Sequence, residues 1–279
     1  MTKPDLHMHS TCSDGVLPPL ALVDAAVQAG VTVMALTDHD TFEGVDQLQG
    51  QDTPIPAIPG VELSLRDMHG LHLLGYGLSA APELRQAVRE LAGKRRARAQ
   101  QMIDKLTALG MPLDYETLLG QCGGTIGRLH IARAMLAAGY VSTLQEAFER
   151  WIGNDGPAFV AGERLSMAEA LPLMRRNGFV PVLAHPAELG KDELALRALL
   201  EQWQRQGLMG VEVFHPSQRG RGFGALEAMV RRMGLLVTGG SDFHLPGDKH
   251  GALGSMADSW QRREEDLSAL MAAMEHQTA

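Results

Sequence analysis

Short apolar segments of this chain lead, one after another, into a histidine or an acid. Leu6 to His9 opens the series with two imidazoles, His7 and His9. Val31 to Thr37 delivers Asp38-His39-Asp40, Ile58 to Leu63 carries Glu62, and Leu71 to Tyr76 carries His72. Val180 to Ala184 leads into His185, Gly210 to Phe214 into His215, and Leu235 to Thr238 into Ser241-Asp242-Phe243-His244. Helical periodicity fills Pro18 to Ala29, Glu193 to Gln206 and Leu226 to Met233, so the chain reads as alternating β and α units with parallel pairing. In a barrel of such units the C-terminal strand ends share one mouth, where scattered residues converge. Side chains two apart on a strand face the same way, so His7 and His9 can grip one cation from one side. Asp14 follows in the turn signal Ser13-Asp14-Gly15 and can reach the same cleft.

Residues 81–162 break the alternation. Pro82 to Leu109 reads as one long helix ending at Gly110, and Leu129 to Ala138 and Thr143 to Trp151 as further helices, with no convincing strand. The expected division is therefore a barrel from residues 1–80 and 163–279 with a helical, substrate-binding insertion at 81–162. The run Lys94-Arg95-Arg96-Ala97-Arg98 is read as a solvated face. Ser166-Met167-Ala168-Glu169 is a capping box that starts the next helix, and Pro172 inside it should kink it.

A length of 279 residues suits one α/β barrel, and 45% hydrophobic residues with only 5% aromatics imply an aliphatic core. No apolar run approaches the roughly 20 residues of a membrane span. Candidate ligands starting at His7 leave no room for a removable leader. Cys12 and Cys122 stand far apart, which suggests a reducing cytoplasm and no disulfide framework. The formal charge of −8 argues against broad nucleic-acid binding, duplex DNA included. Clustered divalent ions would reverse that sign locally and attract phosphate.

Together the strand-end residues give His7, His9, Asp14, His39, Glu62, His72, His185, Asp242 and His244. A lone histidine is usually structural, but six of them with three carboxylates point to a shared metal site. The set suits manganese first, with iron or zinc as alternatives. The segments Asp5-Leu6-His7-Met8-His9-Ser10, Thr37-Asp38-His39-Asp40, Gly60-Val61-Glu62, His72, Ala184-His185-Pro186 and Gly240-Ser241-Asp242-Phe243-His244 resemble the PHP (polymerase and histidinol phosphatase) family. The resemblance implies a distorted (β/α)7 barrel with two or three divalent ions. It places the first ion on His7, His9, Glu62 and Asp242. Glu62 would bridge to a second held by His72 and His185, and Asp14, His39 and His244 would hold a third.

Gly127-Arg128-Leu129-His130-Ile131-Ala132-Arg133 resembles the Arg-x-His-x-Ala-Arg stretch of the nucleotide phosphatases in that family. This implies removal of the 3′-phosphate from nucleoside 3′,5′-bisphosphates such as pAp, and trimming of short RNA from the 5′ end. Arg128, His130 and Arg133 would then bind the second phosphate, with donors near a helix N-terminus. The alternative is that Arg128 and Arg133 tie the insertion to the barrel. His215 can bind phosphate or act behind a ligand. Two positions depart from the subgroup: Gly156 where a lysine is common, and Gln218 where a histidine is common. The expected chemistry is in-line attack by a hydroxide held between two ions, with Glu62, His185 and Asp242 acting through it. Protonation of the leaving oxygen falls to His185, His215 or a bound water. A histidinol-phosphate phosphatase is the second reading but leaves Arg128 and His130 unexplained. A proofreading module for a polymerase lacks polymerase segments here, and a metal-storage scaffold does not explain the mixed nitrogen and oxygen donors.

Overall fold

The computed structural model describes residues 2–78, 80–121, 126–247 and 250–278; Cys122 lies outside them. Two compact units divide the chain, one from Met1–Ala87 with Arg164–Ala279, the other from Val88–Glu163. The first is built on seven strands: β1 (Pro4–Asp5), β2 (Val33–Leu36), β3 (Ala57–Ser64), β4 (His72–Gly77), β5 (Phe179–Leu183), β6 (Gly210–Phe214) and β7 (Leu236–Gly239). They pair in sequence order. Hydrogen bonds from Leu6 N–H to Gly239 O (3.1 Å), Asp242 N–H to His7 O (2.8 Å) and His9 N–H to Phe243 O (2.9 Å) join the first strand segment to the last. The sheet therefore closes on itself, which leaves no open edge between first and last strand.

Parallel pairing holds for β1/β2, β2/β3, β5/β6 and β6/β7. It fails at β4, which runs antiparallel to both β3 and β5. The physical reason is the link: residues 65–71 are too few for the crossover of a dozen or more that parallel neighbours need. His72 accordingly starts its strand instead of ending it, opposite Ser64. Reversal of the strand brings that start to the mouth where the parallel strands end.

Around the sheet lie α1 (Pro19–Gln28), α2 (Glu43–Leu48), α7 (Met167–Arg176), α8 (Glu193–Gln206), α9 (Gly224–Arg232) and α10 (Arg263–Thr278). In α1 the apolar residues Leu22, Val23 and Ala26 recur at helical spacing, and they pack on Met8, Met34 and Leu36. Ser166 and Glu169 form the capping box of α7, a device that contributes about 1 kcal/mol. The described residues of the second unit carry helices and no strand: most of α3 (Pro82–Ala108), then α4 (Tyr115–Gln121), α5 (Arg128–Ala137) and α6 (Leu144–Ala147). Their core gathers Met102, Leu106, Ile131, Met135 and Ile152. The single helix expected from Thr143 to Trp151 instead widens after one turn into a π-helical turn over Phe148–Ile152. Within the charged run of α3, Lys94 pairs with Glu163 and Arg98 Nε–H donates to Val160 O (2.6 Å). Lys94, Arg96 and Ala97 of that run are exposed, and Arg95 and Arg98 are half-buried.

Candidate metal centre

Alternation along the first segment buries Leu6 and Met8 in the core and turns His7 and His9 to the opposite face, also buried. Asp14 returns through a turn closed by Ser13 N–H and Gly15 N–H on Ser10 O. Glycine is required there: a Cβ at Gly15 would sit 2.2 Å from His9 O. Asp38 fixes the same turn by accepting from Ser10 N–H, Ser10 Oγ–H and Ser13 Oγ–H, each at 2.7 Å.

Glu62 is the hub. Its Oε2 lies 3.1 Å from His7 Nε2, 3.2 Å from His9 Nε2 and 3.1 Å from His39 Nδ1. Its Oε1 lies 2.9 Å from His72 Nδ1 and 3.0 Å from His185 Nε2. Asp242 Oδ1 stands 3.2 Å from His7 Nε2 and 3.1 Å from His9 Nε2. A second nest joins His9, Asp14, His39 and His244, whose ligand atoms all lie within 4.8 Å of one another. His72 Nδ1 and His185 Nε2 are 3.2 Å apart. All nine sequence-derived ligand candidates thus meet at one mouth.

Proton positions show what these groups can hold. His7 Nδ1–H donates to Glu212 Oε1 (3.0 Å) and His244 Nδ1–H to the Asp242 carbonyl (2.8 Å). Ser13 Oγ gives its hydrogen to Asp38, so it accepts from His9 Nδ1–H at 3.4 Å. Each ring therefore aims an Nε2 lone pair at carboxylate oxygens, an arrangement that repels unless a cation lies between. His9 Nε2, Asp14 Oδ1 and His39 Nδ1 are buried with no hydrogen-bond partner, although Glu62 Oε2 lies near the two imidazole nitrogens and His244 Nε2 near Asp14 Oδ1. Ligands about 2.1 Å from one ion sit about 3.0–3.4 Å from their neighbours, which is the spacing found around Glu62. The residues fit a cluster of divalent ions.

Without a cation, protons take its place. Burial pulls the His9 and His185 imidazoles down, but Asp242 and Glu62 raise His9 to about 10, and Glu62 with Asp242 raises His185 to about 9. Burial holds His39 down at about 3. Raised imidazoles are protonated at neutral pH, so a metal must displace their protons. Apparent Mn²⁺ affinity is expected to rise as the pH goes from 6 to 9, with protons released on binding. Calorimetry in buffers of different ionisation enthalpy checks this; an affinity independent of pH would contradict it.

Two residues outside the sequence reading belong to this centre. Glu212, fully buried on β6, also accepts from His185 N–H through Oε2 (2.8 Å). His250 places Nδ1 2.7 Å from Asp242 Oδ2. A carboxylate inside the apolar strand Val211-Glu212-Val213 was the available signal for the first; His250 had none. His215 is buried, its Nδ1 accepting from Ser217 N–H (3.1 Å) and its Nε2 facing Asp242 Oδ2 (3.3 Å). In the helical unit, half-buried Arg128 donates to Asn154 Oδ1 (3.0 Å) and lies 5.8 Å from the Phe148 ring centre. His130 Nδ1 accepts from Gly127 N–H (3.0 Å), and Arg133 is exposed one turn along. At Gly156 a Cβ would meet Trp151 O at 2.3 Å, so this backbone has no room for the lysine common there. Gln218 is spent on the loop, donating to Gly222 O (2.8 Å).

The PHP domain family matches residues 5–152. A 5′-3′ exoribonuclease of Haemophilus influenzae is 33% identical over 251 residues, covering 88% of this chain and 92% of its own. A 3′,5′-nucleoside bisphosphate phosphatase of Chromobacterium violaceum is 30% identical and covers 89% of each chain. The solved structure of a protein described as a metal-dependent phosphoesterase, from Bifidobacterium adolescentis, superposes with a TM-score of 0.81 at 26% identity, covering 98% of this chain and 96% of that one. No helix among the described residues is long and apolar enough to cross a membrane. With the match taking in over half the sequence, and such relatives along most of its length, the chain belongs to the PHP domain family.

Proposed function

We propose that this chain is a metal-dependent phosphoesterase that removes the 3′-phosphate of nucleoside 3′,5′-bisphosphates, converting pAp to AMP and phosphate. Trimming of short RNA from the 5′ end is a second use of the same centre. The observation that carries the reading is Glu62, a buried carboxylate in contact with five imidazoles and shared by two donor sets. Relatives bearing those two activities, 30% and 33% identical, support it.

His7, His9, Glu62 and Asp242 would hold one ion, Glu62, His72 and His185 a second, and Asp14, His39 and His244 a third, with manganese the first choice and iron or zinc next. When bound, such cations supply Lewis-acid chemistry: they acidify water and offset the charge of the non-bridging phosphate oxygens. The protein's part is positioning. Glu62 fixes the spacing of the donor sets, Glu212 orients His7, and Asp38 holds the turn that presents Asp14. His215 has both ring nitrogens engaged, so it acts by orienting Asp242 and is not the proton donor to the leaving oxygen.

A substrate with two phosphates requires a second anion site. Arg128, His130 and Arg133 would supply it on α5: Arg128 is steadied by Asn154 and Phe148, and the His130 ring is fixed by Gly127 N–H on Nδ1. Losing one charge-assisted contact of about 1.5–3 kcal/mol is expected to raise KM for pAp roughly 10–100-fold in Arg128→Ala. A small generic phosphate ester should be little affected; equal losses on both would remove Arg128 from the phosphate site. The function itself is tested by phosphate release from the manganese-loaded protein with pAp, histidinol phosphate, AMP and a short 5′-phosphorylated RNA. Preference for pAp is expected, and preference for histidinol phosphate would overturn the proposal.

A further inference from the structure

Asp242 is a non-glycine residue at φ +54°, a conformation held only where the surroundings impose it. Its carboxylate is divided between two tasks. Oδ1 faces the nest, 3.1 Å from His9 Nε2 and 3.2 Å from His7 Nε2. Oδ2 turns away and meets two other imidazoles, His250 Nδ1 at 2.7 Å and His215 Nε2 at 3.3 Å. Ser217 N–H donates to His215 Nδ1 (3.1 Å), which Ser217 Oγ also meets at 2.7 Å, and with Nδ1 accepting, the ring's hydrogen lies on Nε2 and points at Oδ2. An ionised carboxylate only accepts, so the closer contact carries its hydrogen from His250 Nδ1. His215 follows β6 and His250 follows the Asp242-Phe243-His244 segment, so one oxygen is gripped from two separate stretches of chain.

We infer that His250, which supplies no ligand in the metal-centre reading on which this rests, is a positioning residue: its Nδ1–H, with His215 Nε2–H, locks the Asp242 carboxylate so that Oδ1 stays aimed at His7 and His9. The same three side chains also have the composition of a separate cation site, with ligand atoms within 4.8 Å of one another. Two observations decide between the two: Ser217 N–H (3.1 Å) and Oγ (2.7 Å) both crowd His215 Nδ1, and the acceptor-only Oδ2 of Asp242 faces Nε2, so Nε2 carries a hydrogen where a ligand needs a lone pair. Orienting groups behind a metal ligand typically contribute 10–100-fold in metal affinity.

The test compares full-length wild type, His250→Asn and His250→Leu by Mn²⁺ calorimetry and by counting ions bound per chain. Asparagine places an amide N–H near the position of Nδ1 and nothing at Nε2; leucine offers no donor. The clamp is expected to give an unchanged ion count in all three. Affinity at the tightest site should stay within about threefold of wild type for His250→Asn and fall about 10–100-fold for His250→Leu. His250→Ala carries the same expectation should the leucine variant not fold. Wild-type affinity in the donor-free variants would overturn the clamp. Loss of one whole ion in both variants would make His250 a ligand, and equal weakening in His250→Asn and His250→Leu would place its role at Nε2; either result rejects the inference. A wild-type protein that binds no Mn²⁺ would instead sink the metal-centre reading beneath it.

Discussion

Glu62→Gln is expected to lose most phosphatase activity and most bound metal while keeping its fold. The substitution changes shape little but removes the one negative charge that faces His7, His9, His39, His72 and His185 together. It also turns an amide NH₂ toward donors that need an oxygen. Burial alone would raise the Glu62 carboxyl, yet His39, His7 and His72 hold it well below the usual carboxylate range, so its ionised form is the one the site is built around. Losing a group that only orients a metal ligand typically costs about 10–100-fold, and losing the carboxylate shared by two donor sets should cost more than that. Phosphate-release kinetics, elemental analysis and circular dichroism check the three parts. Turnover within tenfold of wild type would count against Glu62 as the hub.

Glu212→Ala is expected to have the largest effect on stability of any single change at the centre. Its two oxygens hold the His7 ring and the His185 backbone N–H, and His185 sits at φ +26°, a strained position for a side chain of that size. Alanine would leave two buried donors unpaired, each costing about 1–3 kcal/mol, so Tm should fall by on the order of 10 °C. Glu212→Gln keeps one acceptor and should lie between. The pH dependence has a fixed sign. Burial raises this carboxyl, but His7, followed by His215 and His185, brings it below its ordinary 4.5. Stability from Glu212 is therefore complete above about pH 4.5 and is lost as the pH falls through the lower folded-state value. A Glu212→Ala protein that melts within a degree or two of wild type would refute this account of the His7–His185 support.

What was legible in the sequence follows from what each signal encodes. The nine ligand candidates stood out because few environments other than a metal nest gather so many imidazoles and acids at segment ends. Strand direction was not legible at β4, since a period of two reads the same both ways; only the shortness of the 65–71 link carried it. Glu212 was visible as a charge in an apolar strand, but nothing local names the His7 ring it reaches across the barrel. His250 lay in a stretch without periodicity, where no spacing rule applies. The acid-rich first turn of α10, Glu264-Glu265-Asp266, is a helix-start signal with Leu270 and Met274 on its buried face. The roles proposed for Arg128, His130 and Arg133 rest on motif resemblance, because helical periodicity does not report the contacts that Arg128 and His130 make with Asn154 and Gly127.

Diffraction from manganese-soaked crystals at the metal's absorption edge addresses the central claim most directly. Anomalous peaks are expected about 2.0–2.3 Å from His7 Nε2, His9 Nε2 and the Glu62 and Asp242 oxygens, and again between Glu62, His72 and His185. Peaks confined to surface carboxylates, or a nest without anomalous density at saturating manganese, would contradict it.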